Sequence, residues 1–139
     1  MARSADPKTL AQQLGALARL PVTLAVEIRR SRLHWRAELQ PTPLSRTYSV
    51  GLAYAFGGGA PRVEVLTPQL KEEGVSRLPH VLSGDALCLC YPWQWDDGKL
   101  IARTIVPWAS EWLLHFELWK VDRIWHGGGH EPAPAEAAL

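Results

Sequence analysis

The sequence predicts a single α+β domain in which both helices lie on one side of an antiparallel sheet. Three observations carry that prediction: a helix-spaced apolar run ahead of Leu20, successive stretches of apolar alternation between Val22 and Val65, and a longer helix-spaced run after Ile101. At 139 residues the chain is long enough to bury a core without disulfides or metals. The expected boundaries are one domain over residues 1–130 and a flexible tail, rich in alanine and proline, over 131–139.

From Pro7 to Leu20, apolar Leu10, Leu14, Leu17 and Ala18 recur at helical spacing, with Asp6 as the expected cap and Pro7 at the first helical position. Pro21 closes that helix. Val22, Leu24, Val26 and Ile28 then alternate on even positions, as in a half-buried strand, and Leu33, Trp35, Ala37 and Leu39 on odd ones. A turn or bulge around Arg30 must therefore shift the phase by one residue. After Pro41 and Pro43, Tyr48, Val50, Leu52, Tyr54 and Phe56 form a third alternating run, and Val63 and Val65 a fourth. Gly57-Gly58-Gly59 between them precedes no helix and lacks a following lysine, so it reads as a hairpin turn and not as a phosphate cradle. The whole is an antiparallel meander. From Ile105 on, Trp108, Trp112, Leu113, Phe116 and Trp119 share one helical face, with Pro107 tolerable only in a first turn or at a kink. That stripe reads as the apolar cover of the sheet rather than as a ligand slot, and Gly127-Gly128-Gly129 as the stop of the helical region.

Formal net charge is +1, with arginines early (Arg29, Arg30, Arg32, Arg36, Arg46) and carboxylates late (Glu111, Glu117, Glu131, Glu136). Such asymmetry suits a solvated, dipolar surface, and nucleic acid is not an expected partner. The first twenty residues hold no uninterrupted apolar run, so neither a signal peptide nor a membrane span is read there, and the cytoplasm is the expected compartment. Cys88 and Cys90 are too close to staple the chain and make only half a structural zinc site; His126 and His130 lack further ligands. No metal and no cofactor is expected.

The chemistry concentrates between Leu78 and Trp93. Pro79 and the Ser83-Gly84-Asp85 cluster exclude regular helix or central strand, leaving an ordered loop. In an extended segment Leu87 and Leu89 would anchor one face while Cys88 looks outward as a nucleophile, with Cys90 on the same face as Cys88.

This loop resembles the active-site segment of ubiquitin-conjugating enzymes. Leu78-Pro79-His80, a Ser-Gly-Asp turn and Leu87-Cys88-Leu89 follow without a gap the spacing at which that family's His-Pro-Asn tripeptide precedes its thioester-forming cysteine. With Trp93, the run Pro61-Arg62-Val63-Glu64-Val65-Leu66-Thr67-Pro68 and the segment Trp125-His126-Gly127-Gly128-Gly129-His130, the chain is most similar to the bacterial conjugating-enzyme-like proteins of CBASS antiphage operons, over roughly Leu20 to His130. The resemblance implies a UBC-like fold: N-terminal helix, four-stranded meander, active-site cysteine loop and one long crossover helix, with the C-terminal helices of larger members truncated. It also implies an acyl group carried on Cys88 and transferred to an amine. The implied cargo is the C-terminus of a cGAS-like nucleotidyltransferase or a ubiquitin-like protein, with a separate activating enzyme as a further partner.

The sequence departs from the family at the tripeptide, where Leu78 replaces the histidine and His80 the asparagine. His80 is the candidate replacement donor to the oxyanion, with Tyr91 a weaker alternative, and Asp96 and Asp97 stand where the family keeps an acidic or polar gate that could orient an attacking lysine. Two other readings compete. One is a non-catalytic binding module of the same fold. The other is a papain-like hydrolase pairing Cys88 with His115, against which His115 falls mid-helix and Cys88 does not open one.

Overall fold

The computed structural model describes residues 6–72, 74–129 and 131. Thr9, not Asp6, caps the first helix, α1 (Leu10–Ala18). Its hydroxyl accepts the Gln12 N–H at 3.1 Å while the Gln12 amide oxygen accepts the Thr9 N–H at 2.9 Å. This reciprocal box satisfies two backbone donors at once, which an Asp6 cap followed by Pro7 does not match.

The alternating runs form one antiparallel sheet in the order β1-β2-β3-β4: β1 (Thr23–Arg29), β2 (Arg32–Leu39), β3 (Tyr48–Tyr54) and β4 (Arg62–Thr67). The phase shift between the first two is made by the turn. Arg30 and Ser31 both take positive φ, 51° and 61°, as a two-residue hairpin loop requires, so Val26 faces Trp35 and Ile28 faces Leu33. A bulge does occur, but at Leu24, where the register slips between Thr23 and Ala25. β1 is an edge strand, and Leu24 and Ile28 on it are exposed, so it buries less than its pattern suggests. Phe56 falls beyond β3 and is exposed as well.

One face of the sheet supplies the core: Leu33, Trp35, Ala37 and Leu39 from β2, Tyr48, Val50, Leu52 and Tyr54 from β3, and Val63 from β4. Leu17 of α1 and Ile105, Val106, Ala109, Trp112, Leu113 and Phe116 of α2 (Ile105–Asp122) join the same cluster, which puts both helices on that side. Pro107 sits in the first turn of α2, where its missing N–H is not required. Trp108 and Trp119 are half-buried at the margin of the stripe. Fully buried Gln13 ties the helices together: its amide nitrogen donates to the Lys99 carbonyl at 2.8 Å and its oxygen accepts the Ile101 N–H at 2.9 Å.

α2 ends before the glycines. Arg123 adopts the left-handed conformation at φ 62°, and the Asp122 carboxylate accepts the Ile124 N–H at 2.9 Å. The chain then doubles back, so that Trp125 packs on Trp112 and His115. Glu131, assigned to the tail from sequence, is instead bonded to the cysteine loop, as described below. His130 and the stretch 132–139, for which metal binding was weighed and fraying expected, lie outside the described residues. No helix among the described residues is long and apolar enough to cross a membrane.

Candidate active site around Cys88

The loop before Cys88 is a small closed structure. Val81 bridges Leu87 in antiparallel fashion, and the Leu82 N–H donates to the Ala86 carbonyl at 2.7 Å. Gly84 and Asp85 make the turn at φ 73° and 60°. A side chain at Gly84 would also meet Arg62, because its Cβ would lie 2.7 Å from the guanidinium nitrogen that donates to the Ser83 carbonyl at 2.6 Å. The Leu87 N–H donates to the Val63 carbonyl at 2.9 Å, docking the loop on β4.

Cys88 is fixed through the backbone of His80. The His80 carbonyl accepts the Cys88 N–H at 3.0 Å and the Trp112 indole N–H at 2.9 Å, so cysteine loop, preceding tripeptide and α2 meet at one oxygen. His80 itself holds φ 48°, an uncommon conformation for a residue with a Cβ. Its ring stacks on Trp125 with centroids 4.5 Å apart, and its Nε2 lies 3.2 Å from Glu131 Oε2. The same carboxylate oxygen accepts the His80 N–H at 2.6 Å, and Glu131 Oε1 pairs with Arg77 at 3.6 Å.

The thiol does not look outward. Cys88 is only 7 % exposed, with Leu87 in the core and Leu89 half-buried. Trp108 and Trp112 of α2 and the returning Trp125 line a cavity together with Cys88. A cavity of about 290 Å³ of mixed character is lined by Cys88, His80, Cys90, Glu111, Trp112 and His115, together with Trp125, Gly128 and Gly129. An apolar cavity of about 500 Å³ meets Cys88 too, among Pro61, Leu82, Leu87, Leu89 and Pro92. Cys90 borders both, but burial pushes its thiol up from the ordinary value, against a smaller opposing pull from Lys99, and keeps it protonated. The Cys88 sulfur leans on the Cys90 carbonyl at 3.9 Å.

Asp96 and Asp97 border neither cavity. Asp96 is held by the Lys99 ammonium and the Gly98 N–H, both at 2.8 Å, which lower its carboxyl below the ordinary range. Asp97 accepts a short hydrogen bond from the Tyr54 hydroxyl, and its carbonyl accepts the Lys8 N–H at 2.7 Å. The Asp97 carboxylate thus fastens the turn to β3 and its backbone carbonyl to the approach to α1, while the Asp96 carboxylate closes the turn on itself. Tyr91 stacks on Trp93 at 4.7 Å and also lies outside both cavities. The carboxylate that does face the thiol cavity is Glu111, and the second imidazole is His115, with Nε2 3.7 Å from Glu111 Oε1. The signal for them was present in the spacing: Trp108, Glu111, Trp112 and His115 fall at i, i+3, i+4 and i+7, one face of a helix. Among the described residues no group of His, Cys, Asp and Glu is arranged to hold a metal ion.

A four-stranded meander flanked by an N-terminal helix and a long C-terminal one, with a cysteine loop between sheet and long helix, is a UBC-like fold, and the protein is of the ubiquitin-conjugating-like class. The chain belongs to the Type II CBASS E2 protein family, whose model matches residues 13–132, from within α1 to just past Glu131. Membership carries a ubiquitin-conjugating-like role in CBASS defence, in company with other CBASS proteins. No curated protein matches the chain.

Proposed function

We propose that Cys88 accepts an acyl group as a thioester and passes it to an amine, the acyl donor being the C-terminus of a cGAS-like nucleotidyltransferase. The observation that carries this reading is the position of Cys88 in the lining of two cavities, one mostly apolar and one that also holds His80, His115 and Glu111. The apolar one suits the acyl segment. The other, with His80, His115 and Glu111 in its lining, suits the attacking nucleophile.

In the first step the Cys88 thiolate attacks an already activated thioester, the new C–S bond forms, and the donor thiol leaves. In the second an amine attacks the Cys88 thioester, an oxyanion develops on the carbonyl, and the thiolate departs as the amide forms. His80, at the position of the family's asparagine, is the donor assigned to that oxyanion. Support comes from its place on the cavity wall and from the Glu131 and Trp125 contacts that fix its ring.

The deciding experiment mixes purified protein with its activated partner. Wild type should form an adduct that reductant removes, Cys88→Ser an adduct that resists it, and Cys88→Ala none. An adduct in the alanine protein, or a wild-type adduct indifferent to reductant, overturns the reading.

Cysteine hydrolysis is the second reading, favoured by the presence of His115 and Glu111 in the thiol cavity. Against it, Cys88 lies in irregular chain and does not open a helix, the place where such enzymes set their cysteine. The acceptor separates the two. A thioester that decays as fast in buffer as in free lysine supports hydrolysis, and one that lysine discharges faster supports transfer.

A further inference from the structure

We infer that the chain returning from α2, Ile124 to Gly129 with Glu131 beyond it, is a strap that closes the Cys88 cavity, and that the Glu131 carboxylate is the latch that holds it shut. The inference is independent of the transfer reading, since it concerns access to the thiol and not what the thiol carries.

The strap is fastened at three places. At its base the Asp122 carboxylate accepts the Ile124 N–H at 2.9 Å, and its other oxygen lies 2.8 Å from His126 Nε2. In the middle Trp125 stacks on His80 and packs on Trp112 and His115. Gly127 comes so near the same helix that a Cβ there would stand 2.5 Å from His115 Cδ2, so only glycine lets the chain pass. At the far end Glu131 grips the tripeptide before Cys88: Oε2 accepts the His80 N–H at 2.6 Å and lies 3.2 Å from His80 Nε2, and Oε1 lies 3.6 Å from the Arg77 guanidinium. Trp125, Gly128 and Gly129 thereby form one wall of the cavity that Cys88 also lines, and Cys88 is 7 % exposed.

Three features make the strap releasable. A Cβ at Gly128 or Gly129 would meet nothing within 4 Å, so beyond Gly127 the strap is loosely packed, and its glycine backbone rotates at little steric cost. The Trp125 indole Nε1 is buried and has no hydrogen-bond partner among the described residues, a cost carried by the closed form that opening to water removes. The latch side chain is 44 % exposed, so water competes with His80 and Arg77 for the carboxylate. A segment held by few, partly wet contacts opens without the core unfolding. What it leaves behind keeps its own attachments: the Leu87 N–H on the Val63 carbonyl, and the Cys88 N–H and Trp112 indole on the His80 carbonyl.

The test follows modification of Cys88 by iodoacetamide in a Cys90→Ser background, at one pH and without denaturant, by intact mass. Glu131→Ala should label about tenfold faster than this parent, the scale of one lost hydrogen bond to a charged group, with a urea midpoint close to the parent's. Trp125→Ala, which removes the middle anchor, should label at least as fast. Adding Glu131→Ala to it should bring little more, because both substitutions release the same strap. Low urea should hardly change these rates, since strap opening exposes little surface. Labelling of Glu131→Ala at the parent's rate overturns the inference, and the thiol is then reached through the apolar cavity, whose lining includes no residue of the strap. Effects that multiply in full in the double variant overturn it as well, and so do rates that climb with urea as steeply as global unfolding. Should Trp125→Ala fail to fold, the rate and urea dependence of Glu131→Ala decide alone.

Discussion

His80 works through its backbone and its ring separately. Its carbonyl, which any residue would offer, accepts the Cys88 and Trp112 donors. Its side chain is particular: stacked on Trp125, paired with Glu131, on a backbone at φ 48°. If the ring serves the oxyanion, His80→Ala should load Cys88 nearly as wild type but discharge to lysine about a hundredfold to a thousandfold more slowly. Asparagine tolerates the left-handed conformation and can donate from nearly the same place, so His80→Asn should recover part of the rate. Single-turnover discharge of the purified thioester measures both. An unchanged rate in His80→Ala would leave the side chain a loop-packing role only.

Two helices cover the sheet, and each has a weak point that can be measured. Trp112 is 4 % exposed, packs on Phe116 and Trp125, and donates to the His80 carbonyl. Truncating a buried aromatic of this size typically costs about 3 to 5 kcal/mol against a total stability of about 5 to 15 kcal/mol. Trp112→Ala should therefore lower the urea midpoint sharply and abolish loading through unfolding. A variant that stays folded but no longer binds its partner would mark the stripe as an interface. Gln13 is the counterpart on α1, fully buried and bonded to Lys99 and Ile101. Gln13→Ala strands a buried N–H and a carbonyl, at a cost of roughly 1 to 3 kcal/mol for each group left unsatisfied. Chemical denaturation should show that loss, whereas Gln12→Ala, which removes only an exposed cap bond, should lose about 1 kcal/mol or less.

At the scale of the whole molecule, stability depends on pH through its tyrosines. Burial, followed by the hydrogen bond to Glu117, pushes the Tyr48 phenol far above its ordinary value, and burial with the bond to Asp97 does the same for Tyr54. Both groups hold their protons in the fold at pH values where an unfolded tyrosine loses them. Their contribution is complete below about pH 10, the unfolded value, and is lost as pH rises towards the folded ones. The denaturation midpoint should therefore fall between pH 9 and 11, and Tyr54→Phe should flatten part of that fall. A midpoint that holds across this window would contradict the burial of these phenols.

The order of elements and the spacing of the cysteine loop were legible in the chain because both are local. Apolar alternation places Trp35, Val50 and Val63 on one face of a strand whatever lies beyond, and a fixed count of residues separates His80 from Cys88. The helix boundaries were less legible: Thr9 outcompeted Asp6 through its reciprocal bond with Gln12, and Arg123 took a conformation that glycine was expected to supply further on. Packing between distant segments decided the rest. It buried Cys88 in a cavity wall shared with tryptophans from α2 and from the returning chain, and brought Glu131 to His80. Asp96 and Asp97, near Cys88 in sequence, turned towards Lys99 and Tyr54, while Glu111 and His115, more than twenty residues beyond it, came to its cavity. Periodicity specifies which face of an element is apolar, but which polar groups share a cavity depends on how α2 is rotated and where the chain leaves it, and those are set only when the whole core has packed.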